Sequence, residues 1–213
     1  SSNSSPEEYS FETGIGNDWT VADNSAEESI WTNVNGSYSG FEWSNGSLVV
    51  NNFERVKVGV IGGYTEIVSK SFNLSNFSTP AIKFSWAGAA LNTFPTNEIT
   101  VHYSTNCGEN WLSLGTLDPV TTSRAGYIAT NFVPNENDWL DTVLTKNALK
   151  NNNIKFKIAY SAGTTAHNNI YIDNIKIGEA SSLFNENNNS ISQKISVFPN
   201  PLDESSSILL ENF

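Results

Sequence analysis

Lys155-Phe156-Lys157-Ile158-Ala159-Tyr160 and, a short turn later, Ile170-Tyr171-Ile172-Asp173-Asn174-Ile175 decide how this chain reads. Polar and apolar residues alternate with a period of two. A strand with that pattern turns one face to a core and the other to solvent, the arrangement of an antiparallel sheet. Working outward, similar signals mark strands near 10–13, 47–52, 65–72, 81–89, 98–104, 111–117, 126–132, 154–160 and 169–177. Turn clusters such as Asn45-Gly46, Gly62-Gly63 and Asn106-Cys107-Gly108 separate them. One stretch, Asp141–Lys150, reads equally as a turn or a short helix, with an Asn-rich exit at Asn151–Asn153. Many short strands with so little helix indicate an all-β antiparallel sandwich.

Composition agrees. The 213 residues are 38% hydrophobic and 12% aromatic, enough for one large packed core, and only 15% charged. Asn, Ser and Thr supply much of the polarity, which favours turns and strands over helices. Twenty-two acidic against 11 basic residues leave a formal charge of −11. Such a surface repels phosphate backbones and anionic membranes, so nucleic acid is excluded as the expected partner. No apolar run approaches the roughly 20 residues that span a bilayer. Cys107 is the single cysteine, so no internal disulfide forms and a bound metal is the expected staple instead.

The expected organisation is a polar linker over 1–9, a sandwich module over 10–179, a Ser/Asn-rich linker over 180–193, and a further unit beginning at 194. That last stretch holds Val197-Phe-Pro-Asn-Pro-Leu202 and then Ile208-Leu-Leu210. About 20 residues cannot bury a core alone.

Two resemblances follow from these segments. The Pro-Asn-Pro tail resembles the opening of the C-terminal sorting domain of type IX secretion in Bacteroidetes. That implies export to a secreted or cell-surface location through the type IX machinery. The body resembles the MAM-like jelly-roll modules of Bacteroidetes secreted proteins, as found after pappalysin-type (cytophagalysin) zinc metallopeptidase domains. Cleaved-adhesin modules are a more distant likeness. The matching pieces are Ser10-Phe11-Glu12 with Trp19, Trp31, Ser47–Asn52, Tyr103–Trp111 and Asn168–Ile175. Asn106 departs from the family, which often has Asp there. The resemblance implies a jelly roll serving as a non-catalytic accessory module of a multidomain protein whose upstream domain is its neighbour.

Catalytic signatures are missing from the sequence. A zinc peptidase needs a His-Glu-x-x-His helix; the only histidines are His102 and His167, far apart. Cys107 lies five residues from His102, an odd spacing that puts them on opposite faces of one strand. No Gly-x-Ser-x-Gly elbow occurs, and the six tryptophans are scattered rather than clustered beside paired carboxylates. The chain itself is therefore not expected to be an enzyme.

The candidate metal site joins the chain ends. In an antiparallel jelly roll the terminal strands lie side by side, with Glu12 on the first and Asp173 on the last. A calcium ion takes six to eight oxygens from carboxylates, amides and backbone carbonyls. Asn51 and Asn52 are expected to add amide oxygens, with Asn17 and Asp18 as further donors. The resemblance implies such a cation at Glu12 and Asp173. The alternative is that both acids are solvated or accept hydrogen bonds from turn amides.

For a ligand, the alternative function is carbohydrate binding or adhesion, with sugar faces stacked on exposed aromatics. The candidates are Tyr38, Phe41 and Trp43, then Phe94 beside Pro95, and Trp139, with Trp43 and Phe94 foremost; the competing reading makes these aromatics caps on the core. Polysaccharide or a protein substrate would be the partner. Asp141-Thr142-Val143 resembles the O-glycosylation site of Bacteroidetes exported proteins, making Thr142 a candidate acceptor.

Overall fold

In the computed structural model the described residues are 5–23, 31–35, 44, 46–91, 96–118 and 123–183. They form eleven strands and one short helix: β1 (Glu7–Tyr9), β2 (Trp19–Asp23), β3 (Thr32–Asn35), β4 (Gly46–Val50), α1 (Asn52–Lys57), β5 (Tyr64–Ser69), β6 (Pro80–Gly88), β7 (Glu98–Ser104), β8 (Leu112–Leu117), β9 (Leu140–Thr145), β10 (Lys155–Ser161) and β11 (Ile170–Glu179). One sheet runs β3-β4-β11-β6-β9, with β1 also paired to β11. The other runs β2-β5-β10-β7-β8. Every strand pair is antiparallel. The chain is an all-β, two-sheet antiparallel sandwich, as its alternation requires.

The two inner faces make one core. The six-stranded sheet contributes Leu48, Val50, Ile82, Phe84, Trp86, Ile170, Ile172, Ile175 and Ile177. The five-stranded sheet contributes Ile67, Ile99, Val101, Tyr103, Phe156, Ile158 and Tyr160. Each fully buried aliphatic side chain contributes roughly 1.5–3 kcal/mol against exposure. Strand β11 keeps this alternation only through a bulge between Asp173 and Lys176, where Asn174 takes a φ of +50°.

Several expectations need correction. The first strand is Glu7–Tyr9, not 10–13. Within the expected linker 1–9, Glu7 pairs with Ile177 and Tyr9 with Ile175, and Tyr9 packs edge-on against Trp19. Residues 11–14 instead turn, with Phe11 at a φ of +56°. Asp141–Lys150 is not helical over its length. Leu140–Thr145 pairs with β6, and a 3-10 turn follows at Asn147–Leu149. The core strand β6 needs a partner on its second edge, and that demand outweighs local preference.

The segment 126–132 has no ladder beyond one parallel bridge, Ala90 to Tyr127. It crosses the outer face of the six-stranded sheet. Three of its carbonyls are satisfied by side chains: Asn168 Nδ2 donates to Ile128 O and Thr130 O, and Tyr171 Oη donates to Phe132 O. Phe132, Trp139, Tyr171, Val49, Ala87 and Ala89 form a small second core there. At the other boundary, Ala180–Ser182 is a 3-10 turn and Leu183 is buried, so the sandwich extends past residue 179. The rest of the expected 180–193 linker and the 194–213 segment lie outside the described residues.

Candidate ligand-binding face

The predicted metal ligands separate into two places. Glu12 and Asp173 both reach the Ser44–Gly46 corner. Glu12 Oε1 accepts the Gly46 N–H at 3.2 Å. Asp173, 1% exposed, accepts from the Ser44 hydroxyl at 3.1 Å and from the Asn174 N–H at 2.6 Å. The chains are so close here that a Cβ on Gly46 would sit 2.6 Å from Glu12 Cα, which is why this position is glycine.

Asn51 and Asn52 belong to the opposite end of β4. Asn51 caps α1 by accepting the Glu54 N–H. Asn52 is buried, and its amide donates to Tyr160 Oη at 2.7 Å and Asn168 O at 3.0 Å. The structure thus unites the two acids of the predicted set and places the two asparagines elsewhere. Among the described residues, no three His, Cys, Asp or Glu side chains gather to hold a metal. A cation beside Glu12 and Asp173 would need backbone and hydroxyl oxygens to complete its shell. The residue types fit a hard cation.

Trp43 and Phe94 lie outside the described residues. Thr142 lies on β9 on the same side as Phe84 and Trp86, and its hydroxyl accepts the Trp86 indole N–H at 3.0 Å. Neighbouring Asp141 binds the Ser85 hydroxyl at 2.6 Å and the Lys83 ammonium at 2.7 Å. Cys107 Sγ accepts from the Asn153 amide at 2.8 Å.

A constellation not anticipated from sequence occupies the outer face of the five-stranded sheet. The same alternation that sends Ile67, Val101, Ile158 and Tyr160 inward sends Tyr64, Glu66, His102, Lys157 and Ala159 outward. Strand register then brings them together. Ala159 pairs with both Glu66 and Thr100, and Lys157 pairs with His102. Glu66 and Lys157 are diagonal neighbours, joined at 3.2 Å. Although they point away from the core, their side chains are only 13% and 12% exposed. Tyr64 Oη donates to Glu66 Oε2 at 2.8 Å. Burial, then that carboxylate, pushes the Tyr64 phenol upward.

The Lys157 ammonium lies 4.7 Å from the centre of the Trp111 ring. The Tyr103–Trp111 stretch explains how that ring is held. Ser104 Oγ accepts the N–H groups of Asn106 and Gly108, and Asn106 Oδ1 accepts that of Asn110. Cys107 and Gly108 take positive φ, closing a turn that delivers Trp111 onto the sheet. His102 completes the group. Burial, then nearby Lys157, pulls its imidazole below the ordinary range, against Glu66, a backbone hydrogen bond at Thr100 and Glu98.

A platform of an indole, a phenol, an ion pair and an imidazole can offer an apolar surface with hydrogen-bond donors and acceptors at its edge. Its parts are separated in sequence and meet only through pairing register. The sole local signal was Trp111, at the end of a turn-rich motif.

No protein-family model matches the chain, and no curated protein matches it. Solved structures do. The K1 cleaved adhesin domain of Lys-gingipain from Porphyromonas gingivalis W83 superposes with a TM-score of 0.60 at 18% identity, covering 83% of this chain and 99% of that one. Caldicellulosiruptor saccharolyticus CBM27-1, solved with mannohexaose, gives 0.54 at 11%, covering 82% and 97%. TmCBM61, solved with β-1,4-galactotriose, gives 0.50 at 14%, covering 80% and 94%. At these identities the likeness is one of fold: this chain has the jelly-roll sandwich shared by cleaved-adhesin and carbohydrate-binding modules.

Proposed function

We propose that this chain is a non-catalytic binding module that takes a saccharide on the outer face of its five-stranded sheet. The observation carrying this reading is the Trp111–Lys157–Glu66 arrangement, with the outward-facing His102 beside it. Sugars present C–H faces to aromatic rings and hydroxyls to charged or amide edges, and this face supplies both. Two fold neighbours were solved with oligosaccharides bound, and a third is an adhesin domain.

The wider setting is also a proposal. The resemblance of the body to MAM-like modules supports a place beside another domain of a secreted or cell-surface protein, with a zinc metallopeptidase as the parent. The Pro-Asn-Pro tail supports type IX export. A calcium ion held by Glu12 and Asp173 would tie the turn after β1 to β11 and neutralise two acids in one corner.

The test is a pull-down with insoluble polysaccharides and a soluble glycan panel, comparing the native protein with Trp111→Ala. Retention of the native protein and loss in the variant is expected. Equal retention of both proteins would refute this face as the site.

A further inference from the structure

The ligand's charge class can be read from the same face. We infer that the saccharide it takes is uncharged and is gripped through two adjacent ring hydroxyls, one donating to Glu66 and the other accepting from Lys157. This rests on the proposed saccharide-binding role and deepens it.

The carboxylate and ammonium are 3.2 Å apart, so two hydroxyls on neighbouring ring carbons can engage both without the pair separating. Separation would be costly, because each side chain is almost nine-tenths shielded and a parted ion would stay poorly solvated. A uronate or sulfate would find Lys157 already opposed by Glu66 at 3.2 Å. A cationic sugar would have to displace Lys157 from Glu66 and from the Trp111 ring. A neutral diol avoids both conflicts, and charge-assisted hydrogen bonds are the stronger kind.

His102 points the same way. Its ring faces outward on β7, beside the ion pair. His102 and Lys157 are paired across β7 and β10, so a third hydroxyl along the same sugar edge meets the imidazole. The Trp111 ring lies on the ammonium side of the pair and gives the C–H face somewhere to rest.

The experiment compares soluble mannan, galactan, xylan and glucan with polygalacturonate and alginate by affinity electrophoresis, at low and high salt. It uses the full chain and its Glu66→Gln and Lys157→Met variants, each checked by circular dichroism for folding. Retardation by a neutral polymer that survives high salt, with at least a tenfold loss in Lys157→Met and a loss in Glu66→Gln, is the expected result. Glu66→Gln keeps the side-chain shape, so it stays informative if Lys157→Met unfolds. Retardation only by uronates, weakening with salt, would overturn the neutral-diol inference while leaving saccharide binding intact. No retardation by either class would overturn the saccharide-binding role itself.

Discussion

The side-chain amide of Asn52 donates a 2.7 Å hydrogen bond to the phenol of Tyr160, which is 0% exposed. This bond ties the first residue of α1 to the middle of the five-stranded sheet. Asn97 reaches the same oxygen at 3.4 Å, and Asn52 also donates to Asn168 O. Asn168 in turn braces the crossing segment at Ile128, Thr130 and Phe132. A residue that reads as a metal ligand is thus a buried polar strut. Tyr160→Phe removes the shared acceptor while preserving the ring. Unsatisfied buried donors cost about 1–3 kcal/mol. Chemical denaturation should show a loss of that size; an unchanged midpoint would show that the bond carries no stability.

Calcium should act at the Glu12–Asp173 corner and not at Asn51. Chelation should lower the melting temperature and calcium should restore it. Glu12→Gln or Asp173→Asn should lower the starting value and abolish the response. Asn51→Ala should lower stability through loss of the α1 cap, by about 1 kcal/mol, with the calcium response intact. Calorimetry that finds no effect of chelation in the native protein would remove the proposed cation.

Acid should destabilise the sandwich partly through His167. Burial pushes its imidazole down to about 4 from an ordinary 6.5, although a backbone hydrogen bond at Ala162 acts the other way. A folded-state value below the unfolded one means that the unfolded chain binds the proton first. The contribution is therefore intact above the unfolded value and lost as pH falls toward the folded one. His102 shifts in the same direction. Between neutrality and about pH 4 the urea midpoint of the native protein should fall further than that of His167→Gln. Parallel curves would show that His167 does not couple folding to pH.

How much of this was legible depended on whether the signal was local. Strands β5, β6, β7, β10 and β11 were readable because their inward residues recur every second position against a core. Strand β9 was not, because Leu140–Thr145 runs into a Lys- and Asn-rich stretch and is committed to a strand only by pairing with β6. Strands β2 and β3 are short and mixed, and β1 hides in a polar terminus. Helix α1 begins at Asn51-Asn52, which reads as the end of a strand because asparagines serve turns and caps alike. The Glu12–Asp173 pairing was half visible, since both acids sit in recognisable motifs. The binding face was not visible at all. Outward residues of alternating strands look like ordinary solvated polarity until register places Glu66, Lys157 and His102 side by side.

The central claim is that ligand sits on the outer face of the five-stranded sheet. An amide chemical-shift titration of the labelled protein, with the polysaccharide fragment that binds most tightly, tests it directly. Shifts concentrated at Tyr64–Val68, Thr100–Ser104, Trp111–Ser113 and Lys155–Ala159 are predicted. Shifts gathered instead at Ile128–Asp138, over the outer face of the six-stranded sheet, would contradict the account.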